Sequence, residues 1–338
     1  MIMKYPAFLT TNKKILFIAP SFGCVIEPYR SRLIKAFDVF KEAGFNPTYG
    51  PNVFLDGGVR SNTKELCVKE FMCGYTSENQ LLLSVGGGNL MCELLDLIDF
   101  EKLKTLEPKW FMGYSDNTNL TFTMTTIADI ATIYGGCAPE FGTTELHTSQ
   151  KDALLLIAGE KLKFAGYPLY EIEPIKNADT PLAPYNLTMK KVLTCYPKDI
   201  QMEGRLIGGC TDSLLSLIGT PYDKVEEFAK KYQNDGLIWF LEACDLTAWT
   251  LRLAVLQMKR AGWFKNAKGF IFGRSLLIND TFFDLNMHNA IYDVLKDLNV
   301  PIILDADFGH IKPQIPIICG AYAKVKANEN IEIEYILK

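Results

Sequence analysis

Ser115 stands in Gly113-Tyr114-Ser115-Asp116, between an apolar stretch at 109–114 and a helix-like segment at 117–128. A sharp strand-to-helix turn there would expose the hydroxyl and aim helix N-terminal amides at it, as a nucleophile elbow does. The hydrolase pattern G-x-S-x-G is half met, because Asn117 takes the place of the last glycine. Ser115 or Asp116 would serve equally as a plain helix cap. Gly86-Gly87-Gly88-Asn89 follows another apolar stretch, 81–85. Such glycines let backbone amides approach a phosphate or an oxyanion, or they simply make a tight turn. The dinucleotide pattern G-x-G-x-x-G fails at Met91, and no G-K-[ST] follows for a P-loop.

A serine at neutral pH needs a base. The chain offers three histidines: His147, His288 and His310. His147 and His288 lie in polar, helix-like surroundings and read as surface residues. His310 follows an apolar run and sits in a loop bounded by Gly309 and Pro313, the kind of segment that concentrates function. Glu242 ends the apolar run IWFLE and could orient a histidine, or serve as an acid at the start of the helix at 247–261. Asp245 competes for either role. Ser115, Glu242 and His310 together make a nucleophile, an acid and a base.

Elements must bring these residues together. Short apolar runs at 14–20, 45–49, 81–85 and 109–114 read as buried strands. Between them lie helical patterns at 31–43, capped by Ser31, and at 66–75, 91–98 and 117–128. Strand alternating with helix predicts an α/β fold with a parallel sheet covered on both faces. The segment 167–197 holds five prolines and reads as a crossover, or as irregular strands entering a second domain. Beyond it, strands at 237–241, 269–272, 301–304 and 331–336 mix with helices at 247–261 and 286–298.

Composition excludes several classes. With 338 residues, 22% charged and 48% hydrophobic, the chain reads as globular, with one or two domains. A net charge of −4 leaves no basic excess for nucleic acid. No apolar run approaches a membrane span, and the first residues lack a signal-peptide core. The nine cysteines are scattered without a C-x-x-C pair, which fits neither structural zinc nor a disulfide framework and suits a reducing cytoplasm.

Six blocks in order carry a family resemblance: IAPS, SVGGGNLMCELLDLIDF, FMGYSDNTNL, GRLIGGCTDSLLSLIGTPYD, IWFLEA and DADFGHIKPQIPIICGA. The chain resembles the LD-carboxypeptidase family of serine peptidases, which includes the microcin C immunity proteins. The resemblance implies a cytoplasmic, cofactor-free hydrolase with Ser115 as nucleophile, Glu242 as acid and His310 as base. It implies an oxyanion hole from Gly87 or Gly88 and from the amide of Asp116. The implied fold is an N-terminal α/β domain like class I glutamine amidotransferases at 1–165, a crossover at 166–200, and a smaller β-rich domain of swivelling-barrel type at 201–338. The implied substrate is a small peptide, murein tetrapeptide losing terminal D-alanine, with a peptidyl- or aminoacyl-adenylate amide as runner-up. A homodimer is the family's suggestion.

The sequence also departs from that family. The glycine loop is one residue longer than in better-known members, and Cys210 replaces a common asparagine. Both changes bear on substrate preference. Some immunity members stack a tryptophan on the adenylate, but 141–205 contains none; Tyr167, Tyr170, Tyr185 or Tyr196 could stack instead. A carboxypeptidase also needs a cation for the terminal carboxylate, and Arg252, Arg274 and Lys312 are the candidates. Two rivals come from other classes. A nucleotide-binding oxidoreductase would use the glycine loop for pyrophosphate, and a non-catalytic peptide or amino-acid sensor would carry a dead site.

Overall fold

The computed structural model describes residues 2–10 and 12–338. The first half runs β1 (Lys14–Ile18), α1 (Tyr29–Glu42), β2 (Asn46–Tyr49), α2 (Lys64–Thr76), β3 (Leu81–Ser84), β4 (Trp110–Gly113), α3 (Thr118–Ala128), β5 (Thr132–Tyr134) and α4 (Thr148–Ala158). These five strands are parallel, in the order β5-β4-β3-β1-β2. Every residue of β3 and β4 is buried, as a parallel sheet covered on both faces requires. The strand order reverses between β1 and β3. That switch point opens a crevice at the carboxyl edge, where the glycine loop and Ser115 emerge.

One boundary differs from the sequence reading. Helix α1 starts at Tyr29 rather than after a Ser31 cap. Glu27 does the capping: its carboxylate accepts from the Ser31 amide at 3.3 Å and from the Ser31 hydroxyl at 2.8 Å.

The second half runs β6 (Lys163–Ala165), β7 (Thr194–Tyr196), β8 (Ile200–Cys210), β9 (Leu237–Glu242), α5 (Ala248–Arg260), β10 (Ala267–Gly273), α6 (Met287–Leu295), β11 (Ile302–Ala306), β12 (Ile317–Cys319), β13 (Tyr322–Ala327) and β14 (Ile331–Ile336). A mixed eight-stranded sheet has the order β6-β14-β13-β8-β9-β10-β11-β7. Its centre, β8 to β11, is parallel, and β9 is buried throughout. Its β13 and β14 are antiparallel and expose alternate residues, Lys324 and Lys326 on one and Glu334 on the other. One face of this part meets water, so charge is tolerated at every second position. The proline-rich stretch is irregular apart from β7 and a short pair, Leu169–Tyr170 with Met189–Lys190. Buried Arg32 of α1 ties it down by donating to the carbonyls of Pro181 and Ala183.

Two features join the sheets. Strand β12 leaves the second half and pairs antiparallel with β5, completing the first sheet. Helix α3 is buried at every residue except Ile127. Its threonines satisfy their hydroxyls locally: Thr126 donates to Phe122 O at 3.0 Å and Thr125 to Ile130 O at 3.0 Å. Phe122 of α3 stacks on Trp263 at 5.5 Å, and Trp263 stacks on Trp239 of β9 at 5.6 Å. Each such pair adds roughly 0.5–1.5 kcal/mol beyond its burial. The amide of Cys210, ending β8, donates to Thr118 Oγ1 at 2.9 Å.

That approach depends on Gly209, where a Cβ would lie 2.6 Å from Thr118 Cγ2 at a φ of +146°. Gly209→Ala is expected to cost roughly 3 kcal/mol, the upper end for overpacking. Urea unfolding measures it; an unchanged midpoint would contradict this account of the joint.

Candidate active site

Ser115 is the first residue after Tyr114, at the carboxyl edge of β4. Its φ is +63°. A left-handed serine costs roughly 1–3 kcal/mol and persists only where its surroundings over-determine it. Asn117, in the place of the missing glycine, does part of that work. Its Nδ2 donates to the carbonyls of Gly86 and Tyr114, each at 2.9 Å, which ties the glycine loop to the elbow. The carbonyl of Ser115 accepts from Ser213 Oγ at 3.4 Å.

His310 and Glu242 reach Ser115 from the second sheet. Nε2 of His310 lies 3.0 Å from Ser115 Oγ, and Nδ1 lies 2.8 Å from Glu242 Oε2. A carboxylate only accepts, so Nδ1 carries a proton and the neutral ring is left to accept from the serine at Nε2. Glu242 is 1% exposed. Its burial would raise its carboxyl, but the charge of His310 and hydrogen bonds from His310, Tyr134 and Cys210 outweigh that and lower it. Burial works against the imidazolium of His310, yet the Glu242 charge and a hydrogen bond to Cys244 raise it above its ordinary value of 6.5. The other histidines lie elsewhere and are partly buried rather than surface residues. His147 caps α4, and His288 pairs with Asp305 at 2.6 Å.

Of the two glycines nominated for an oxyanion, Gly87 lies against the serine. A Cβ on it would be 3.3 Å from Ser115 Oγ, whereas one on Gly88 would strike Ser21 Oγ at 2.1 Å. The side chain of Asp116 fixes this loop. It accepts from Ser21 Oγ at 2.7 Å, from Asn119 Nδ2 at 3.0 Å and from the amide of Met91 at 3.1 Å. Burial nevertheless raises its carboxyl. The sequence marks Asp116 for its amide or as a helix cap and Ser21 only within the IAPS block, and Tyr134 carries no local signal beyond its place at a strand end.

A cleft of about 430 Å³ opens beside Ser115. Phe22, Val25, Ile26, Tyr29, Leu55 and Tyr114 give it apolar walls, and its charged lining residues are Asp56 and Glu140. Burial would raise Glu140, but Lys176, Lys312 and Arg32 hold it down at about 2. None of the three cations nominated for a substrate carboxylate lines this cleft. Lys312 is buried behind Glu140, 3.6 Å from its Oε2. Arg274 is buried against Asp307, and Arg252 pairs with Asp293 at 3.5 Å on the surface. Charge alone nominated them, and each already has a carboxylate. The four tyrosines nominated for stacking are also engaged. Tyr167 donates to Asp152, Tyr170 lies under Arg274, Tyr185 packs on His147 and Tyr196 on Tyr292.

A serine on a left-handed elbow, bonded to a histidine that is bonded in turn to a buried carboxylate, defines a site of the serine-hydrolase class. Residues 15–135 match the family model for the LD-carboxypeptidase N-terminal domain and residues 203–325 that for its C-terminal domain. The chain belongs to the LD-carboxypeptidase family. A Streptomyces coelicolor protein with a provisional carboxypeptidase name is 24% identical over 96% of this chain and 93% of its own length. The microcin C7 self-immunity protein MccF of Escherichia coli is 23% identical over 98% of this chain and 97% of its own. A solved MccF complex with aspartyl sulfamoyl adenosine, 20% identical, superposes with a TM-score of 0.81 and full coverage of both chains. An MccF-like protein of Bacillus anthracis, 21% identical, gives 0.83 over 98% of this chain and 99% of its own.

Lys312→Met tests whether that ammonium serves the fold. Leaving Glu140 buried without it is expected to cost roughly 3 kcal/mol in urea unfolding. A higher KM with unchanged stability would return Lys312 to the substrate.

Proposed function

We propose that this chain is a serine-type LD-carboxypeptidase that removes terminal D-alanine from murein tetrapeptide in the cytoplasm. The observation that carries the reading is Ser115 Oγ 3.0 Å from His310 Nε2 on a backbone held at a φ of +63°. In this mechanism neutral His310 takes the hydroxyl proton as Ser115 attacks the scissile carbonyl. Glu242 stabilises the imidazolium. The amides of Gly87 and Asp116 hold the tetrahedral oxyanion, where one lost donor costs roughly 2.7–4 kcal/mol. His310 passes its proton to the departing amine, and water then opens the acyl-enzyme with His310 again as base.

A second reading, cleavage of an aminoacyl-adenylate amide, draws support from the aminoacyl-sulfamoyl nucleoside held by MccF. The acidic lining residues of the cleft, Asp56 and Glu140, oppose a terminal carboxylate and a phosphate alike, so the preference for the first reading rests on the two LD-carboxypeptidase family models that match the chain.

D-Alanine release from a murein tetrapeptide, by wild type and Ser115→Ala in parallel, tests the assignment. We expect release by wild type and at least a 10³-fold loss in the folded variant. Equal release by both would remove Ser115 as nucleophile. Cleavage of an aminoacyl-sulfamoyl adenosine amide without D-alanine release would favour the second reading.

The pH dependence has a definite sign. His310 must be neutral to act, and Glu242 raises its pKa, so kcat/KM is lost as pH falls through a value above 6.5. Glu242→Gln removes the main raising influence and leaves burial. Its acid limb is expected at lower pH than that of wild type, with kcat down by on the order of 10³–10⁴. A limb that stays in place would exclude His310 as the titrating base.

A further inference from the structure

We propose that Tyr134 is a positioning residue that closes the Ser115, His310 and Glu242 line into a ring. The inference rests on the serine-hydrolase reading and adds a residue to it. Tyr134 ends β5 and is 1% exposed. Its hydroxyl accepts from the backbone amide of Ser115 at 3.2 Å and donates to Glu242 Oε1 at 2.5 Å. The ring therefore runs from Ser115 Oγ to His310, from His310 to Glu242 Oε2, from Glu242 Oε1 to Tyr134, and from Tyr134 back to Ser115 N.

Two needs meet at this hydroxyl. The left-handed turn at Ser115 points its amide into the protein, where a donor without a partner is costly. A glutamate carboxylate also turns easily about its last torsion, which has broad, roughly two-fold wells. With only one oxygen bonded, Glu242 could rotate and carry the imidazole off line. Tyr134 holds the second oxygen and the strained amide with one atom. The phenol is itself fixed. Phe240 packs on its ring at 5.6 Å, and Tyr114 meets it edge-on at 6.4 Å. Strand β5 is held between β4 and β12. Burial and the Glu242 charge keep the hydroxyl protonated, so it remains a donor at working pH. Tyr134 is not among the residues lining the cleft, which is why its role is positioning rather than contact with substrate.

Its donation also spreads the charge of Glu242. Without it the carboxylate attracts a proton on His310 more strongly. Tyr134→Phe should therefore move the acid limb to higher pH, opposite to Glu242→Gln.

The experiment follows the rate of fluorophosphonate labelling against pH, which needs no knowledge of the substrate. Wild type, Ser115→Ala, Tyr134→Phe and Phe164→Leu are compared. We expect Tyr134→Phe to label roughly 10- to 100-fold more slowly, as outer partners of active groups do when removed, with its limb shifted up. Phe164→Leu loosens packing against Tyr335 at the far edge of the second sheet and should lower Tm without moving the limb. Should Tyr134→Phe fail to fold, 3-fluorotyrosine placed at position 134 keeps the ring and strengthens the donor, and its limb should move down. Wild-type labelling with an unchanged rate and limb in the position-134 variant would overturn the role of Tyr134 alone. Failure of wild type to label, or equal labelling of Ser115→Ala, would overturn the serine reading and this inference with it.

Discussion

A carboxylate placed 1% exposed in the protein must be fully paired or it unfolds what surrounds it. Glu242 meets that demand with partners from both sheets. Tyr134 comes from the first, and His310 follows the last parallel strand of the second. This hydrogen-bonded pair therefore exists only where the sheets meet. Much of the architecture serves that meeting: the buried α3 helix, the Phe122–Trp263–Trp239 stack and the close pass of Gly209 over Thr118. Desolvation strengthens each hydrogen bond in the ring and raises the cost of leaving any one unmade.

Asp116 couples two parts of the site that a diagram of a triad would keep separate. Its amide is the one proposed to receive an oxyanion. Its carboxylate grips Ser21 and the amide of Met91, which anchors the far side of the glycine loop. Gly87 and the elbow are thereby held at a fixed separation from below. Asn117 braces the same pair of segments by donating to both carbonyls. A glycine at that position could not do so, which accounts physically for an elbow that departs from G-x-S-x-G.

Much of this was legible in the sequence because the signals are local. Apolar runs such as LLLSV and IWFLE are long enough to mark buried strands, and GYSD, GGGN and FGH each sit where a strand ends. Ser115, His310 and Glu242 are brought within bonding distance. What stayed hidden depends on contacts between distant residues. Tyr134 meets Glu242 across a separation of 108 residues and Ser21 meets Asp116 across 95, and neither leaves a pattern in its own neighbourhood. The partners of the nominated cations were hidden for the same reason. Charge is written in the sequence, but the carboxylates that Lys312, Arg274 and Arg252 already hold are not. The start of α1 was misplaced because Glu27 caps from outside the helix, a job that a serine at 31 appeared to fill.

Strand β12 has a consequence for how the molecule is made. The edge of β5 is covered by residues 317–319, which a ribosome delivers long after the other five strands of that sheet. Until then the β5 margin of the sheet is bare as well as its β2 edge, open to pairing with any other extended chain. The loop bearing His310 emerges at almost the same moment, so the hydroxyl of Ser115 has no base while the polypeptide is still growing. Sealing the sheet and arming the serine are one late event, and the unfinished chain is harmless chemically during the interval in which it is most adhesive.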